Sequence, residues 1–414
     1  MSAFSIPLSG LAASSDALNV IANNLSNLNT DGYKDETLNF SDVFNQMQGV
    51  SGNGDPIQIG SGVQVDGQTS NYTNGTVTAT GIASNLALQG NGFFVVQNKG
   101  NGEMSFTRDG AFSVNSQGEL CSSQGQLVMG YPAVNGVVST SVALAPIDVN
   151  QAANIPAVQT STFSMDTNLN ASAAPGDSYS TPLTVYDSLG TQQTLTVTFT
   201  NTAPGSWNYA ITLPATATGG TGAPTTLSSG TMTFDSSGNL TSPASPIAGI
   251  QISGLADGAA SMNMSWNLTG PGGVSYITQQ TGTSATTSTA QNGYGVGTLT
   301  GYSVLSDGTV QGEFSNNQTM ALGRVAVASF SNDQGLTQLG NNDLQATFAS
   351  GSPVIGEAGA GGNGTITGGA VEESNVNLSA EFANMIVAQQ GYDANAKVLT
   401  TMNQVSQATI QMVS

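Results

Sequence analysis

Residues that could carry out catalysis or bind a metal ion are few in this sequence. It contains no His and one Cys, Cys121, which excludes a Ser–His–Asp triad, a His-activated thiol and a conventional zinc site. We interpret Cys121 as a small side chain packed in a strand. A carboxylate pair for sugar hydrolysis is compatible with the sequence, because only folding brings such residues together. The residues themselves therefore predict no catalytic site, no metal and no cofactor.

Charge in the sequence is sparse and strongly negative. Five Lys and Arg stand against 25 Asp and Glu, giving a formal net charge of −20, and charged residues make up only 7% of the chain. A polyanion is repelled by phosphate backbones and anionic headgroups, so we expect neither nucleic-acid binding nor membrane insertion. The remaining Thr, Ser, Asn, Gln and Gly surface is typical of extracellular β-rich proteins, yet residues 1–30 do not resemble a secretory signal.

The apolar residues near the start of the chain follow the spacing of an amphipathic helix. Leu11, Leu18 and Leu25 are seven residues apart, and Ile21 and Leu28 lie three residues beyond the last two. All five are therefore predicted to lie on one helical stripe. The sequence NTDGY (29–33) then predicts a turn that uses Gly32 and ends the helix.

A second helix with the same kind of seam is predicted at the other end of the chain. Its apolar residues repeat every seven positions, with others alongside: Leu378, Met385, Tyr392 and Leu399, flanked by Phe382, Ile386 and Met402. We expect Ser374, Asn375 or Ser379 to cap a helix that begins near Val376. The two seams predict that the terminal helices pair in a coiled-coil-like domain; alternatively, both helices cover a sheet within a monomer.

Between the helices the sequence predicts strands and turns. Short apolar runs such as GFFVV (92–96) are separated by turn signals that include the hairpin-type dipeptides Asn101–Gly102, Asp109–Gly110 and Asn135–Gly136. Residues 150–290 change to a Thr-, Ser-, Ala- and Gly-rich composition with apolar alternation, which favours a separate β sandwich or barrel. The predicted fold class is mainly β with terminal α-helices.

The predicted domains are nested in the sequence. They are a helical coiled-coil domain (1–30 with 374–414), an extended connector (31–71 with 359–373), a proximal β domain (72–148 with 293–358) and an inserted distal β domain (149–292). This order places the chain ends together and the insertion farthest from them along the chain.

Two polar motifs stand at the ends of the terminal helices. The first comprises Ala22, Asn23, Asn24, Asn27, Asn29, Thr30, Gly32, Tyr33 and Lys34. The second comprises Ser374, Asn375, Val376, Leu378, Glu381, Met385, Ile386, Gln389, Tyr392, Ala394, Asn395 and Lys397. Together they resemble the N- and C-terminal signatures of the bacterial flagellar rod/hook axial protein family, and residues 92–131 are similar to the proximal β domain of that family.

The resemblance implies a structural subunit rather than an enzyme. The large insertion resembles that of the hook, the curved flexible tube that works as a universal joint between the basal-body rod and the filament. The implied partners are further copies of the chain, rod, hook-cap and hook–filament junction proteins, and the type III export apparatus. The implied location is the hook and basal body, reached by export without a cleaved signal.

The seam residues of both helices are then the expected subunit contacts. Because an isolated helix pair of this kind is marginally stable, we expect the ends to fold as copies assemble. The competing interpretations are a distal rod protein, a β-rich surface adhesin or binding module, and, more remotely, a glycan hydrolase.

Raising the ionic strength is expected to favour association between copies. Salt screens the repulsion between chains that each carry a net charge of −20. Sedimentation of the purified protein at low and at physiological salt measures the polymer fraction. Loss of polymer as the salt concentration rises would contradict this expectation.

Overall fold

The computed structural model describes residues 4–44, 46–52 and 56–413. The protein is mainly β, with helix α1 at Ser5–Ser26 and helix α2 at Leu378–Val413, and the two helices pack together. This confirms the predicted fold class. In the described ranges, no helix has an apolar stretch long enough to cross a membrane.

The chain forms two compact units. The first unit comprises Met1–Gln151, Gly301–Gly312 and Thr319–Ser414, and the second comprises Ala152–Thr300 and Glu313–Gln318. Two strands, Gly297–Val304 and Thr309–Phe314, have residues in both units.

Helix α1 ends earlier than its apolar spacing predicts. Its last residue is Ser26, and the side chain of Asn27 donates a hydrogen bond to the backbone oxygen of Asn23 (3.0 Å) and accepts one from Thr30 Oγ1 (3.1 Å). Such local bonds compete with continuation of a helix. Leu28 therefore lies in the turn after α1, half-buried, rather than on the helical stripe as expected.

Helix α2 begins at Leu378 and is capped by a residue that the sequence analysis did not select. Asn377 Oδ1 accepts hydrogen bonds from the backbone N–H groups of Ser379 (3.0 Å) and Ala380 (3.2 Å). The expectation of a cap at Ser374, Asn375 or Ser379 was wrong. Several neighbouring residues can cap a helix, and the choice depends on which side chain is engaged elsewhere.

The two helices approach closely where small residues face each other. A Cβ atom added at Gly10 would lie 2.7 Å from Asn395 Nδ2, and one added at Gly391 would lie 3.2 Å from Ser14 Oγ. Gly in a helix interior costs about 1 kcal/mol relative to Ala. At Gly391 this cost accompanies close contact between the helices.

The first unit is built around an antiparallel sheet. Its strand order is Thr319–Ser329, Leu127–Val134, Phe93–Gln97, Met104–Thr107, Asp343–Gln345 and Thr337–Gly340. The core on one face is aromatic, with the ring of Phe330 edge-to-face against Phe93 (5.9 Å between centroids) and Phe106 (4.8 Å). Consecutive apolar residues that are all buried, such as Phe93, Phe94, Val95 and Val96, are consistent with a sheet covered on both faces.

Shorter strand pairs of the first unit link the sheet region to the two ends of the chain. Thr365–Gly368 pairs with Leu86–Gln89, and Ala370–Glu372 pairs with Val77–Ala79. Two further pairs join Glu36–Asp42 to Val63–Ser70 and Gln46–Val50 to Pro56–Ile59. The remaining strands of this unit are Ser113–Val114, Leu120–Cys121, Val137–Val138, Ala145–Pro146 and Val354–Glu357.

The second unit consists of two sheets that pack face to face. The antiparallel sheet has the order Ser178–Tyr186, Gln192–Ala203, Ser206–Leu213, Thr225–Phe234 and Leu240–Ser242. The mixed sheet has the order Ile247–Ile252, Met262–Asn267, Thr162–Asn170 and Ile277–Gln280, with Ala285–Gln291 also paired to Thr162–Asn170. One further strand of this unit is Asn154–Ile155, and short 3₁₀ turns lie at Ala215–Thr218 and Pro271–Gly273 here and at Asp333–Gly335 in the first unit.

The core of the second unit lies between its two sheets. Trp266 of the mixed sheet contacts Phe199 (6.1 Å between ring centroids) and Tyr209 (5.7 Å) of the antiparallel sheet. Burial alternates along the strands, as in Gln192–Ala203, because successive side chains point to opposite faces. The unit is therefore a sandwich.

Two of the three hairpin dipeptides form hairpins. Asn101–Gly102 lies between the paired strands Phe93–Gln97 and Met104–Thr107. Asn135 (φ 51°) and Gly136 (φ 78°) join the paired strands Leu127–Val134 and Val137–Val138. The strands on either side of Asp109–Gly110 pair with other strands, so that prediction was wrong. Gly110 has a different role: its backbone oxygen accepts a hydrogen bond from the Leu86 N–H (2.9 Å), and an added Cβ would lie 1.6 Å from the Leu86 oxygen.

Replacing Gly110→Ala is expected to destabilise the first unit by about 1–3 kcal/mol, since the two backbone segments must separate. Urea unfolding followed by circular dichroism measures the change. The matched control is Gly301→Ala, because an added Cβ there meets no atom within 4 Å. Both tryptophans, Trp207 and Trp266, lie in the second unit, so their fluorescence should keep its wild-type midpoint. An unchanged free energy of unfolding of the first unit in Gly110→Ala would contradict the packing argument.

Candidate functional site: the junction of the two chain ends

A buried carboxylate, Glu372, joins distant parts of the chain. Its side chain is fully buried at the end of strand Ala370–Glu372. Oε1 accepts hydrogen bonds from Lys34 Nζ (2.6 Å) and from the Gly75 N–H (2.7 Å), and Oε2 accepts one from Arg108 Nη1 (3.3 Å). We call Lys34, Arg108 and Glu372 the Glu372 cluster.

The second cation of the cluster, Arg108, is held by backbone and aromatic groups. Its guanidinium donates hydrogen bonds to the backbone oxygens of Leu88 (3.2 Å) and Gly90 (2.7 Å), and it lies 5.3 Å from the ring centre of Phe93. Burial lowers the pKa of Arg108 and of Lys34, and the charge of Glu372 opposes this shift in both. Two buried cations thus depend on one carboxylate.

The motif residue Asn24 connects the end of α1 to the segment that follows. It is buried, and its Nδ2 donates hydrogen bonds to Asp35 Oδ1 and the Glu36 backbone oxygen, both at 2.8 Å. Its Oδ1 accepts hydrogen bonds from Tyr33 Oη (3.1 Å) and the Glu36 N–H (3.2 Å). These bonds use the full hydrogen-bonding capacity of a primary amide. Burial also raises the pKa of the Tyr33 hydroxyl.

Asn375 of the C-terminal motif binds the segment that carries the N-terminal motif. Its Oδ1 accepts a hydrogen bond from the Asp35 N–H (2.7 Å), and its Nδ2 donates to the backbone oxygens of Asn71 (2.7 Å) and Thr73 (3.0 Å). Lys34 Nζ donates to the same Thr73 oxygen (2.8 Å). The two motifs, which are far apart in sequence, therefore form one hydrogen-bonded junction.

Gly32 is required by the close approach of two backbone segments. Its φ angle is 70°, and an added Cβ would lie 2.5 Å from the Asp109 backbone nitrogen. Its N–H donates a hydrogen bond to the Glu372 backbone oxygen (2.7 Å). The expected turn at Gly32 is confirmed, and it brings Lys34 to Glu372.

The chain matches four protein-family models along its length. They are the Flagella basal body rod protein (residues 6–34), the Flagellar hook protein FlgE/F/G D1 domain (87–168), the Flagellar basal body protein FlaE D2 domain (154–294) and the Flagellar basal body rod FlgEFG protein C-terminal (367–412). The first and last of these contain most of the junction motifs.

Full-length relatives carry one name. The chain is 34% identical to the flagellar hook protein FlgE of Escherichia coli (strain K12), over 99% of this chain and 100% of that protein. It is 30% identical to the flagellar hook protein FlgE of Borreliella burgdorferi, over 98% of each. This chain belongs to the flagellar hook protein family. The crystal structure of Helicobacter pylori flagellar hook protein FlgE2 shares the fold, with a TM-score of 0.51 and 14% identity over 70% of this chain and 98% of that one.

The remaining motif residues of this hook-family chain contribute less to the junction. They make local contacts or are exposed to solvent. Asn23 Nδ2 donates to Tyr33 Oη (3.1 Å), Asn395 Nδ2 donates to the Gly391 backbone oxygen (2.9 Å), and Val376 is buried. Ser374 Oγ accepts a hydrogen bond from the Val376 N–H at 3.4 Å. Asn29 and Gln389 are exposed.

The predicted seam residues are covered to very different degrees. Ile21 is buried; Leu11, Leu18, Leu25, Leu28, Met385, Leu399 and Met402 are half-buried; Leu378, Phe382, Ile386 and Tyr392 are exposed. Within residues 378–412, the buried position of α2 is Glu381, a carboxylate. The hook-family helix pair thus leaves part of its apolar surface in water, mainly on α2.

Sequence reasoning missed Glu372 and Arg108. The sequence held one signal for Arg108. The chain has five basic residues and none between Arg108 and Arg324, so a basic residue that is buried in the fold is expected to have a charged partner. Glu372 is harder to identify from the sequence, because a second carboxylate, Glu373, directly follows it. The strand alternation separates them: Glu372 points inward, whereas Glu373 is exposed and accepts a hydrogen bond from Thr78 Oγ1 (2.7 Å).

The potentially reactive thiol lies away from the junction. Cys121 is buried in strand Leu120–Cys121, with its Sγ 3.5 Å from Ser113 Oγ, which confirms its interpretation as a packed side chain. Among the described residues, no three or more of His, Cys, Asp and Glu are arranged to hold a metal ion. The chemistry of the junction is therefore ionic and hydrogen-bonding.

Glu372→Gln is expected to lower the free energy of unfolding of the first unit by about 3–5 kcal/mol, because Lys34 and Arg108 stay buried without a counter-charge. Urea unfolding by circular dichroism, with hydrogen exchange to locate the change, measures this loss. The matched control is Glu119→Gln. Its partner Lys99 is 56% exposed, at 3.5 Å, so the change should stay within about 1 kcal/mol. Equal effects of the two substitutions would contradict the role of the Glu372 cluster.

Proposed function

We propose that this protein is a structural subunit that assembles with copies of itself into the bacterial flagellar hook. Membership of the flagellar hook protein family supports this function. So does the wealth of apolar side chains that the terminal helices expose in a single chain. The role is structural rather than catalytic.

The exposed face of α2 is the observation that carries the proposal. Phe382 is 50% exposed, Ile386 55%, Val405 61% and Ile410 66%. Fully burying an apolar side chain of this size contributes roughly 1.5–3 kcal/mol. Because α1 covers one side of α2 only, the remaining stabilisation becomes available when helices of other copies pack against the pair.

The seam residues of both helices are the proposed subunit contacts. They comprise Leu11, Leu18, Ile21, Leu25 and Leu28 with Leu378, Phe382, Met385, Ile386, Tyr392, Leu399 and Met402. In this proposal the domain formed by 1–30 and 374–414 builds the inner wall of a tube. The connector (31–71 with 359–373) and the β domains (72–148 with 293–358, and 149–292) lie outside it.

Polar contacts between the outer β domains complete the proposal. The strands of the second unit place Thr and Ser on their outer faces, as in Ser178–Tyr186. Contacts between such surfaces bury little apolar area, so they can rearrange at low cost while the apolar inner wall stays assembled. A tube of this kind bends as it rotates, as a universal joint must.

The proposal extends to partners and location. The junction motifs shared with the basal body rod protein models support end-to-end contact with rod proteins. Contacts with hook-cap and hook–filament junction proteins, and export through the type III apparatus without a cleaved signal, rest on the sequence resemblance. The working location is the hook, outside the cell.

Ile386→Asp is expected to abolish polymer formation while leaving the monomer folded. Ile386 is already 55% exposed, so a charge there costs little in the monomer but is placed in an apolar contact in the polymer. Electron microscopy and sedimentation of the purified chain measure assembly. Leu399→Asp tests a second seam position farther along the same helix.

The matched control is Val274→Asp, which changes an equally apolar residue, 70% exposed, in the second unit. It should assemble like the wild type. Normal polymers from both Ile386→Asp and Leu399→Asp would show that the helices are not the subunit contact.

A further inference from the structure

The five cations of the chain are used unequally. Lys34 and Arg108 bind Glu372, Lys99 lies near Glu119, and Arg324 contacts Asp307 and Glu357. The fifth, Lys397, is exposed on α2 and has no carboxylate within ion-pairing distance among the described residues. In a chain of net charge −20, Lys397 is therefore the cation available to pair with a carboxylate of another copy.

A carboxylate of the helical region, Glu381, lacks a hydrogen-bond donor for one of its oxygens. Glu381 is 4% exposed, and its Oε2 atom is buried without a hydrogen-bond partner. The neighbouring carboxylates are satisfied: Asp35 accepts from Asn24, and Glu36 accepts from the side-chain amides of Gln68 and Gln338. A buried acceptor left unmade costs about 1–3 kcal/mol, and more when it is charged.

Glu381 lines a cavity of about 320 Å³ between α1, α2 and strand Glu36–Asp42. Its walls are mainly apolar and include Ala17, Val20, Ile21, Leu38 and Val387. Burial raises the pKa of the Glu381 carboxyl, and the charge of Asp35 adds to this shift, while the side chain of Asn384 opposes it. A cation that entered the cavity would favour the ionised carboxylate.

We propose that Lys397 of a second copy enters this cavity and donates a hydrogen bond to Glu381. The inference deepens the proposed self-assembly and rests on it. A Lys side chain carries an apolar stem and a cationic tip, which match the apolar walls of the cavity and the unpaired Oε2 of Glu381. Glu36, the other carboxylate that lines the cavity, already accepts hydrogen bonds from Gln68 and Gln338.

The partner cannot be Lys397 of the same copy. Glu381 and Lys397 are 16 residues apart on α2, which corresponds to about 24 Å along a helix. A Lys side chain cannot span this distance, whereas a neighbouring helix shifted along its axis brings the two groups together. The contact therefore fixes the axial offset between copies, which apolar seams alone leave loosely specified.

The helix near Lys397 also offers a surface for the neighbouring copy. Lys397 borders an apolar groove of about 830 Å³ that includes Phe4, Val398, Met402 and Val405. Apolar contact in this groove would place the ammonium at the edge of the interface, free to reach the other copy. Charge complementarity then selects Glu381, the buried carboxylate with an unused acceptor.

Zero-length carbodiimide cross-linking of assembled wild-type polymer tests the inference. The reagent joins a carboxylate to an amine that it contacts, with loss of water. We expect a Glu381–Lys397 amide between copies, identified by mass spectrometry after digestion with a nonspecific protease. It should be present in the polymer and absent from the monomer. Lys397→Gln should remove this product, and the control Lys99→Gln should leave it unchanged.

A double-mutant cycle gives a second readout. Lys397→Gln and Glu381→Gln should each raise the critical concentration for assembly about tenfold, and the double variant should raise it no further than the more affected single variant. Additive effects would overturn the pairing. So would a wild-type polymer in which Lys397 is coupled to another carboxylate or to none. If the wild-type chain forms no polymer at all, the proposed function fails, and the inference fails with it.

Discussion

The single carboxylate of Glu372 is the constraint on which the rest of the first unit depends. Lys34 follows α1, Arg108 follows a strand of the main sheet, and Glu372 precedes α2, so one ionic contact fixes three segments at once. Desolvation of two cations against one carboxylate is unfavourable in isolation. The backbone acceptors Thr73, Leu88 and Gly90 partly offset this cost by accepting further hydrogen bonds from the two cations. This arrangement fixes the segment that follows the end of α1 and the segment that precedes the start of α2.

From this fixed junction, the helix pair extends with little core of its own. Hydrogen bonding by Asn24 and Asn375 satisfies the polar groups near the junction. Farther along α2 the close approach of Gly10 and Asn395 draws the helices together, but the apolar residues beyond them remain half-buried or exposed. Firm attachment at one end and an incomplete core along the length are properties suited to a subunit that is completed by its neighbours.

Local patterns account for what the sequence could predict. Heptad spacing identified both helices, and alternation identified the strands of the second unit, because each depends on residues close together in the chain. The end of α1 was misplaced because Asn27 bonds back to Asn23. The cap of α2 was misassigned because Asn375, an equally good capping residue, is used to bind Asp35 and Asn71.

The Glu372 cluster and the sheet topology were beyond such patterns. No periodicity relates Lys34 to Glu372, and nothing local shows that Thr162–Asn170 runs parallel to Met262–Asn267 but antiparallel to Ala285–Gln291. The junction motifs were recognised as a family signature, yet their chemistry became visible only when Asn24, Tyr33 and Asn375 were seen to share one hydrogen-bond network.

The separation of Lys34 and Glu372 in sequence also determines the order in which the two units can fold. Their hydrogen bond links positions 338 residues apart, so a chain that emerges N-terminus first cannot close the first unit until nearly all of it has emerged. The second unit, which is almost contiguous in sequence, has no such delay. Until Glu372 arrives, Lys34 and Arg108 lack their counter-charge, and burying them would be costly. The N-terminal segment therefore cannot complete its tertiary contacts before Glu372 is present, and closure of the first unit marks the arrival of that residue.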